Sequence, residues 1–151
     1  MKVKEKSIED YKFDEHNFNQ HTEEGMELLD KSIEQFGFGR STLADKNGVM
    51  VGGNGVLETA RKQGKTKVIE IETDGTELVV VKRKDIDINT KKGRELAYAD
   101  NKIAQTNLKW NEEEVAYAEK EYEVQLEEWG EETINDNEEQ KNEIGGVKLT
   151  M

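Results

Sequence analysis

Residues 49–60 read VMVGGNGVLETA, an apolar run that passes through three glycines into a segment with helical character. The pattern predicts a strand, a tight turn and a helix whose first amides have no acceptor within the helix. Glycines leave such amides open to an anion, and the positive end of the helix dipole lies behind them, so the segment suits a phosphate. Taken alone, such a turn more often has a purely structural purpose, because the stretch has neither a P-loop lysine nor a complete GxGxxG motif.

Three helices are predicted around this segment from apolar residues at helical spacing. Residues 23–36 form the first, with Thr22 as N-cap and Gly37 as the stop, and residues 56–64 form the second. Residues 91–106 form the third. The side chains expected to be buried on these helices are Met26, Leu29, Ile33, Phe36, Leu57, Ala60, Leu96, Ala99 and Ile103.

Two β-hairpins are predicted from turn signals that lie between apolar runs. In the first, residues 41–45 and 47–53 are two short strands about a turn at 45–48. In the second, residues 67–73 and 77–83 are strands separated by the Asp74-Gly75 turn. Helices and hairpins together predict an α+β domain.

The charge is distributed unevenly over the 151 residues, whose formal net charge is -12. Residues 1–110 hold 20 acidic and 19 basic side chains, whereas residues 111–151 hold 14 acidic and 3 basic ones. This break predicts a domain over 1–110, an acidic amphipathic helix over 111–130 with Asn111 as N-cap, and a flexible acidic tail over 131–151. The acidic segment fits a solvated helix with a frayed end, or a dedicated interaction tail.

Composition excludes several classes of function. The chain has no cysteine, which rules out a disulfide framework, a thiolate zinc site and a cysteine nucleophile. No apolar run has the length of a signal peptide or a membrane span, so we expect a cytoplasmic protein without a membrane partner. His16 and His21 have acidic neighbours, but a polar surface loop is the commoner meaning of that pattern, and no metal site is predicted.

Four ordered blocks of the sequence resemble the ParB N-terminal-like fold, which is shared with sulfiredoxin and is also called the ParB-like nuclease domain. The blocks are SIEQFG, GRSTLADKNGVMVGGNGVLETARKQG, KVIEIETDG and RELAYADNKIAQTNLKW, and the likeness covers about residues 3–110. It is greatest to the stand-alone members from phages and mobile elements, often found with DNA methyltransferases or packaging proteins. The resemblance implies a small mixed sheet with flanking helices, and nucleotide binding that supports partition, modification or packaging of DNA.

The family grips nucleotide phosphates through a Gly-x-x-Arg signature at the strand-to-helix turn. Gly53 matches the glycine, Asn54 and Gly55 occupy the middle positions, and Val56 stands where the family has its arginine. An arginine makes a charge-assisted, bidentate contact to phosphate that valine cannot make. Sulfiredoxin's catalytic cysteine is absent here, which excludes reductase activity, and Gly52 replaces the acidic residue of the family's kinases, which disfavours kinase chemistry.

Other residues could complete a nucleotide site of this kind. Arg40 and Ser41 belong to a segment that borders the site in similar proteins, although a surface role for Arg40 is equally compatible. Asn101, in the family's Ala-Asp-Asn block, would lie near the base or sugar, although a helix kink or cap is the commoner role of such a residue. The implied ligand is CTP or ATP with Mg²⁺. Nucleotide hydrolysis or nuclease activity is compatible with the resemblance. Asp45, Glu58 and Asp100 are carboxylates available for two-metal nuclease chemistry, but their lack of a recognisable spacing counts against it.

A second function of a different class fits the same sequence. The chain would then be a non-catalytic interaction module that kept the fold, lost the arginine at Val56 and uses its acidic segment to engage a basic partner. The net charge of the body is close to zero, so wrapping of DNA by the whole chain is disfavoured. DNA, or a protein that modifies or packages it, remains an expected partner on the first hypothesis.

Overall fold

A computed structural model describes residues 1–130, and the chain separates into two compact units between Trp110 and Asn111. The described part has four α-helices and two antiparallel two-stranded sheets, which confirms the α+β class. The predicted tail at 131–151 lies outside the described residues. The elements in chain order are β1 (Lys2–Ser7), α1 (Glu23–Phe36), β2 (Leu43–Ala44), β3 (Met50–Gly52), α2 (Asn54–Lys62), β4 (Lys67–Glu72), α3 (Lys91–Thr106) and α4 (Glu112–Tyr122).

The larger sheet pairs the two strands β1 and β4, in a register that runs from Lys2 opposite Glu72 to Ser7 opposite Lys67. The predicted hairpin between 67–73 and 77–83 is therefore wrong, and residues 77–83 form no strand. A turn signal such as Asp74-Gly75 acts locally, whereas the choice of partner strand is non-local, and the N-terminal strand takes the place beside β4.

The smaller sheet is the first predicted hairpin, which the structure confirms with shorter strands. The side chain of Asp45 closes its turn, because Oδ1 accepts hydrogen bonds from the amides of Asn47, at 2.8 Å, and Val49, at 2.9 Å. An isolated parallel bridge joins Lys12 to Val49 beside this hairpin. The single small mixed sheet that the family resemblance implies does not form in the described residues, which have two separate antiparallel pairs instead.

The core holds α2 against both sheets, and α1 packs against α3. Thr22 is the N-cap of α1 as predicted, since its Oγ1 accepts a hydrogen bond from the Gly25 amide at 2.9 Å. At Gly25 the two helices come so close that a Cβ would lie 2.4 Å from the Cα of Asn107. The residues of the main apolar cluster are Ile8, Tyr11, Met50, Leu57 and Ala60, with Ala44 and Val68 packed against it.

The second unit begins with α4, whose N-cap is Asn111 as predicted, with Oδ1 accepting from the Glu114 amide at 3.2 Å. The helix ends at Tyr122, eight residues before the predicted end at Gly130, and a 3₁₀ turn follows at Leu126–Trp129. Continuing the helix would stack the carboxylates of Glu119, Glu123 and Glu127 at four-residue spacing, which is repulsive. Tyr122 and Trp129, 68% and 80% exposed, also bury too little area to offset that repulsion.

No helix in the described part of the chain is long and apolar enough to cross a membrane.

Candidate functional site

The strand-to-helix turn places a free helix N-terminus at the end of β3. Helix α2 begins at Asn54, two residues before the predicted start, because Gly53 rather than Gly55 supplies the left-handed residue, with φ of +103°. The Gly53 carbonyl accepts the first helical hydrogen bond, from the Leu57 amide at 3.0 Å, and no side chain caps the helix. The amides of Asn54, Gly55 and Val56 thus lie in the first turn without an acceptor inside the helix.

Gly53 also sits against the segment that precedes β2. A Cβ at Gly53 would lie 2.4 Å from Cγ2 and 2.7 Å from Cβ of Thr42, distances that no real methyl group occupies. The turn therefore requires glycine at position 53 for two reasons, its left-handed backbone conformation and its close approach to Thr42. This packing holds the 40–42 segment beside the start of α2.

Asn54 and Gly55 lie behind the turn and serve its construction. The Asn54 side chain is buried, donates to the Met50 carbonyl at 3.3 Å and accepts from the Asp14 amide at 3.0 Å. Gly55 makes room for His21, since a Cβ there would lie 3.3 Å from the imidazole ring. The Nε2 atom of His21 is buried and has no hydrogen-bond partner among the described residues. Both residues are buried, and neither lines the groove in front of the turn.

A groove of about 450 Å³ opens in front of this turn, between α1, α3 and the 37–43 loop. Four residues that the sequence singled out line it together: Arg40, Ser41, Gly53 and Val56. Asn101 does not line it, because the side chain is exposed and donates to the carbonyl of Ala97, one turn back in α3, at 3.0 Å. The other lining residues are Leu29, Ser32, Ile33, Gly37, Phe38, Gly39, Thr42, Leu43, Gly52, Leu96, Asp100 and Ile103.

Arg40 is paired across the groove with Asp100, the residue before Asn101. Its Nε donates to Oδ2 of Asp100 at 3.0 Å, and its Nη2 donates to the same oxygen. The two side chains are 67% and 38% exposed, so water screens the pair and its contribution to stability is small. A multiply charged ligand in the groove could therefore draw Arg40 away at little cost.

A second arginine, Arg83, fixes the loop that forms one wall of the groove. Its Nη1 donates to the Phe38 carbonyl at 3.2 Å, and its Nε and Nη2 form a bidentate pair with Asp85 at 2.8 Å. The hydrogen bonds from Arg83 lower the pKa of Asp85 to about 2. The Arg83 side chain is only 25% exposed and anchors the loop.

The Asp85 carboxylate should make the thermal stability of the protein depend on pH. Since its pKa falls from 3.8 to about 2 on folding, its stabilising effect is complete above pH 4 and is lost as the pH falls through 2. We expect Asp85→Asn to lower Tm at pH 7 and the difference from wild type to vanish near pH 2. Thermal unfolding of both proteins between pH 7 and 2 measures this. A difference that stays constant down to pH 2 would contradict it.

No protein-family model matches this chain, and searches of curated proteins and of solved structures give no match either. Within residues 1–130 no group of three or more His, Asp or Glu side chains is arranged to hold a metal ion.

Proposed function

We propose that the chain is a ParB-like nucleotide-binding domain that supports DNA metabolism of a phage or mobile element. The observation that carries this proposal is the convergence of Arg40, Ser41, Gly53 and Val56 on one groove at the N-terminus of α2. These residues come from two segments of the sequence, and the tight packing of Gly53 on Thr42 supports their juxtaposition.

The phosphates would bind at the first-turn amides, where the helix dipole favours negative charge. The Ser41 hydroxyl and the Arg40 guanidinium lie on the same groove and would add a hydrogen bond and a charge-assisted contact. The apolar residues Leu29, Phe38 and Leu96 line the groove and would contact the sugar and base. Its volume falls within the usual range of small-ligand sites. Mg²⁺ would arrive with the phosphates, and no catalytic step is assigned.

Because Arg40 is paired with Asp100, the proposal predicts that loss of the Asp100 carboxylate raises nucleotide affinity. Asp100→Asn removes a carboxylate that competes with phosphate for the guanidinium and repels an anion in the groove. We expect nucleotide affinity to rise by about 3- to 10-fold, the effect of about 1 kcal/mol from an exposed charge pair. Titration calorimetry of both proteins measures it, with Glu95→Gln on the same helix, outside the groove, as the control. Weaker binding by Asp100→Asn would contradict this role for Arg40.

The proposal as a whole is tested by a thermal-shift screen of the full chain against CTP, ATP, ADP and GTP, with and without Mg²⁺. A ligand that binds only the folded state raises Tm by mass action. We expect at least one nucleotide to raise the midpoint, and Arg40→Gln to reduce the rise. No shift with any of the four at millimolar concentration would contradict nucleotide binding.

A second candidate is a non-catalytic interaction module, in which the acidic second unit engages a basic partner protein. The valine at position 56 and the engagement of Arg40 by Asp100 favour it, because both leave the groove with less free positive charge than the family's site. The screen separates the two functions, since this candidate predicts no shift with any nucleotide.

A further inference from the structure

A second groove, of about 470 Å³, lies between α1 and α3 and has an apolar floor. Leu28 and Phe36 of α1 and Ala99 and Ile103 of α3 contribute to the floor. Among the described residues, the two grooves share only Ser32 and Ile103. The groove between α1 and α3 is therefore largely separate from the groove at the N-terminus of α2.

Basic side chains dominate the rim of this groove. Lys31 of α1 and Lys91, Arg94 and Lys102 of α3 line it, together with the single carboxylate of Glu95. Glu95 pairs weakly with Lys91, at 3.8 Å, and no described carboxylate forms an ion pair with the other three cations. The net charge of the chain is -12, so its acidic residues alone are enough to keep the surface solvated. The basic side chains around this groove therefore form a local positive patch on an acidic chain.

An aromatic side chain stands at the same groove. Tyr98 is 70% exposed and lies on α3 between Arg94 and Lys102, one turn from each. Exposed tyrosines beside arginine are typical of protein contact surfaces, where a rigid ring gains area at small entropic cost.

We propose that this groove binds an acidic amphipathic helix of a partner protein. The apolar face of such a helix would lie on the floor and against Tyr98, and its carboxylates would meet the basic rim. The basic rim favours a partner with acidic side chains. The apolar floor favours an amphipathic helix over a nucleic acid, because a helix has an apolar face to place on it. A single exposed ring offers one stacking position, whereas single strands are bound on successive aromatic side chains. This inference does not depend on nucleotide binding.

The test uses fluorescence anisotropy of a labelled peptide titrated with the full chain. The probe is an acidic peptide of about 18 residues, built of Glu, Ala and Leu with the leucines at three- and four-residue spacing, so that it forms one apolar stripe. Its matched control is a scrambled peptide of equal composition and charge, and a labelled oligothymidylate tests nucleic acid. We expect the striped peptide to bind more tightly than both.

Three variants locate the binding on the chain. The double variant Arg94→Glu/Lys102→Glu should weaken the striped peptide by about 10-fold or more, from two reversed charges each near 1 kcal/mol. A glutamate at position 94 lies in the first turn of α3, where the helix dipole favours it, so the fold should persist. Tyr98→Ala should weaken binding without changing charge. Lys62→Glu, an exposed reversal on α2, is the control and should have little effect.

The proposal is supported if the groove variants lose binding of the striped peptide and the Lys62→Glu variant keeps it. It is overturned if the striped peptide does not bind, if the scrambled peptide binds equally well, or if oligothymidylate binds more tightly. Equal weakening by Lys62→Glu would overturn it too, because the effect would then follow net charge rather than the groove. Circular dichroism of each variant shows that the helices are retained.

Discussion

Val56→Glu should weaken nucleotide binding by about 30-fold while the domain stays folded. Val56 is half-buried and lines the groove in the first turn of α2, so a glutamate there would place a negative charge beside a bound phosphate. A repulsion of about 2 kcal/mol, which is that of unit charges about 8 Å apart at an effective dielectric constant near 20, gives that factor. An acidic residue in the first turn suits the helix dipole, and this limits the cost to folding.

Two further variants at the same position separate charge from shape. Val56→Gln has nearly the size of glutamate without its charge and should retain most of the affinity. Val56→Arg supplies the cation that the family has at this place and should strengthen binding. Titration calorimetry with the nucleotide that gives the largest thermal shift measures all three. Equal losses for Glu and Gln would show that the groove does not hold phosphate at this position.

Gly53→Ala should destabilise the protein by about 2 to 5 kcal/mol. The left-handed backbone, with φ of +103°, costs an L-residue about 1 to 2 kcal/mol. The new methyl group would also lie 2.4 Å from Cγ2 of Thr42, and moving that contact apart costs about 1 to 3 kcal/mol. Chemical denaturation measures the change in the free energy of unfolding. Because this residue is needed for folding, ligand-binding variants are better made at Arg40 or Val56.

Substitutions at two other glycines separate the backbone cost of Gly53→Ala from its steric cost. Gly64 has φ of +70° and open space where a Cβ would stand, so Gly64→Ala should show the backbone cost alone. Gly52 has neither a positive φ nor a close neighbour, and Gly52→Ala should be nearly neutral. The predicted order of destabilisation is Gly53→Ala, then Gly64→Ala, then Gly52→Ala. A neutral Gly53→Ala would mean that Thr42 and the turn can rearrange.

Features set by local chemistry were predictable from the sequence. Thr22 caps α1, Asp45 closes the first hairpin, and helix α3 spans 91–106 as expected, because each depends on residues a few positions apart. The pairing of β4 with the N-terminal strand was not predictable in this way. It joins Lys2 to Glu72 across most of the domain, and no short-range signal in residues 67–83 selects that partner.

The candidate site shows the same division. The glycines predicted a turn with free amides, and the structure has that turn, with α2 starting two residues earlier than expected. The partnership of Arg40 with Asp100 and the anchoring of Phe38 by Arg83 were missed, since both join residues more than forty positions apart. The side chain of Asn101 points away to Ala97, which a helical position alone could not reveal.

The most direct test of a phosphate site at the start of α2 is a two-dimensional ¹H–¹⁵N NMR titration of the full chain with CTP and with ATP. Amide signals report each backbone N–H separately, so the ligand's position is seen without mutation. We predict that the largest shift changes fall on Gly53, Asn54, Gly55 and Val56, with smaller ones at Arg40 and Ser41. No change with either nucleotide, or changes confined to residues elsewhere, would contradict the account.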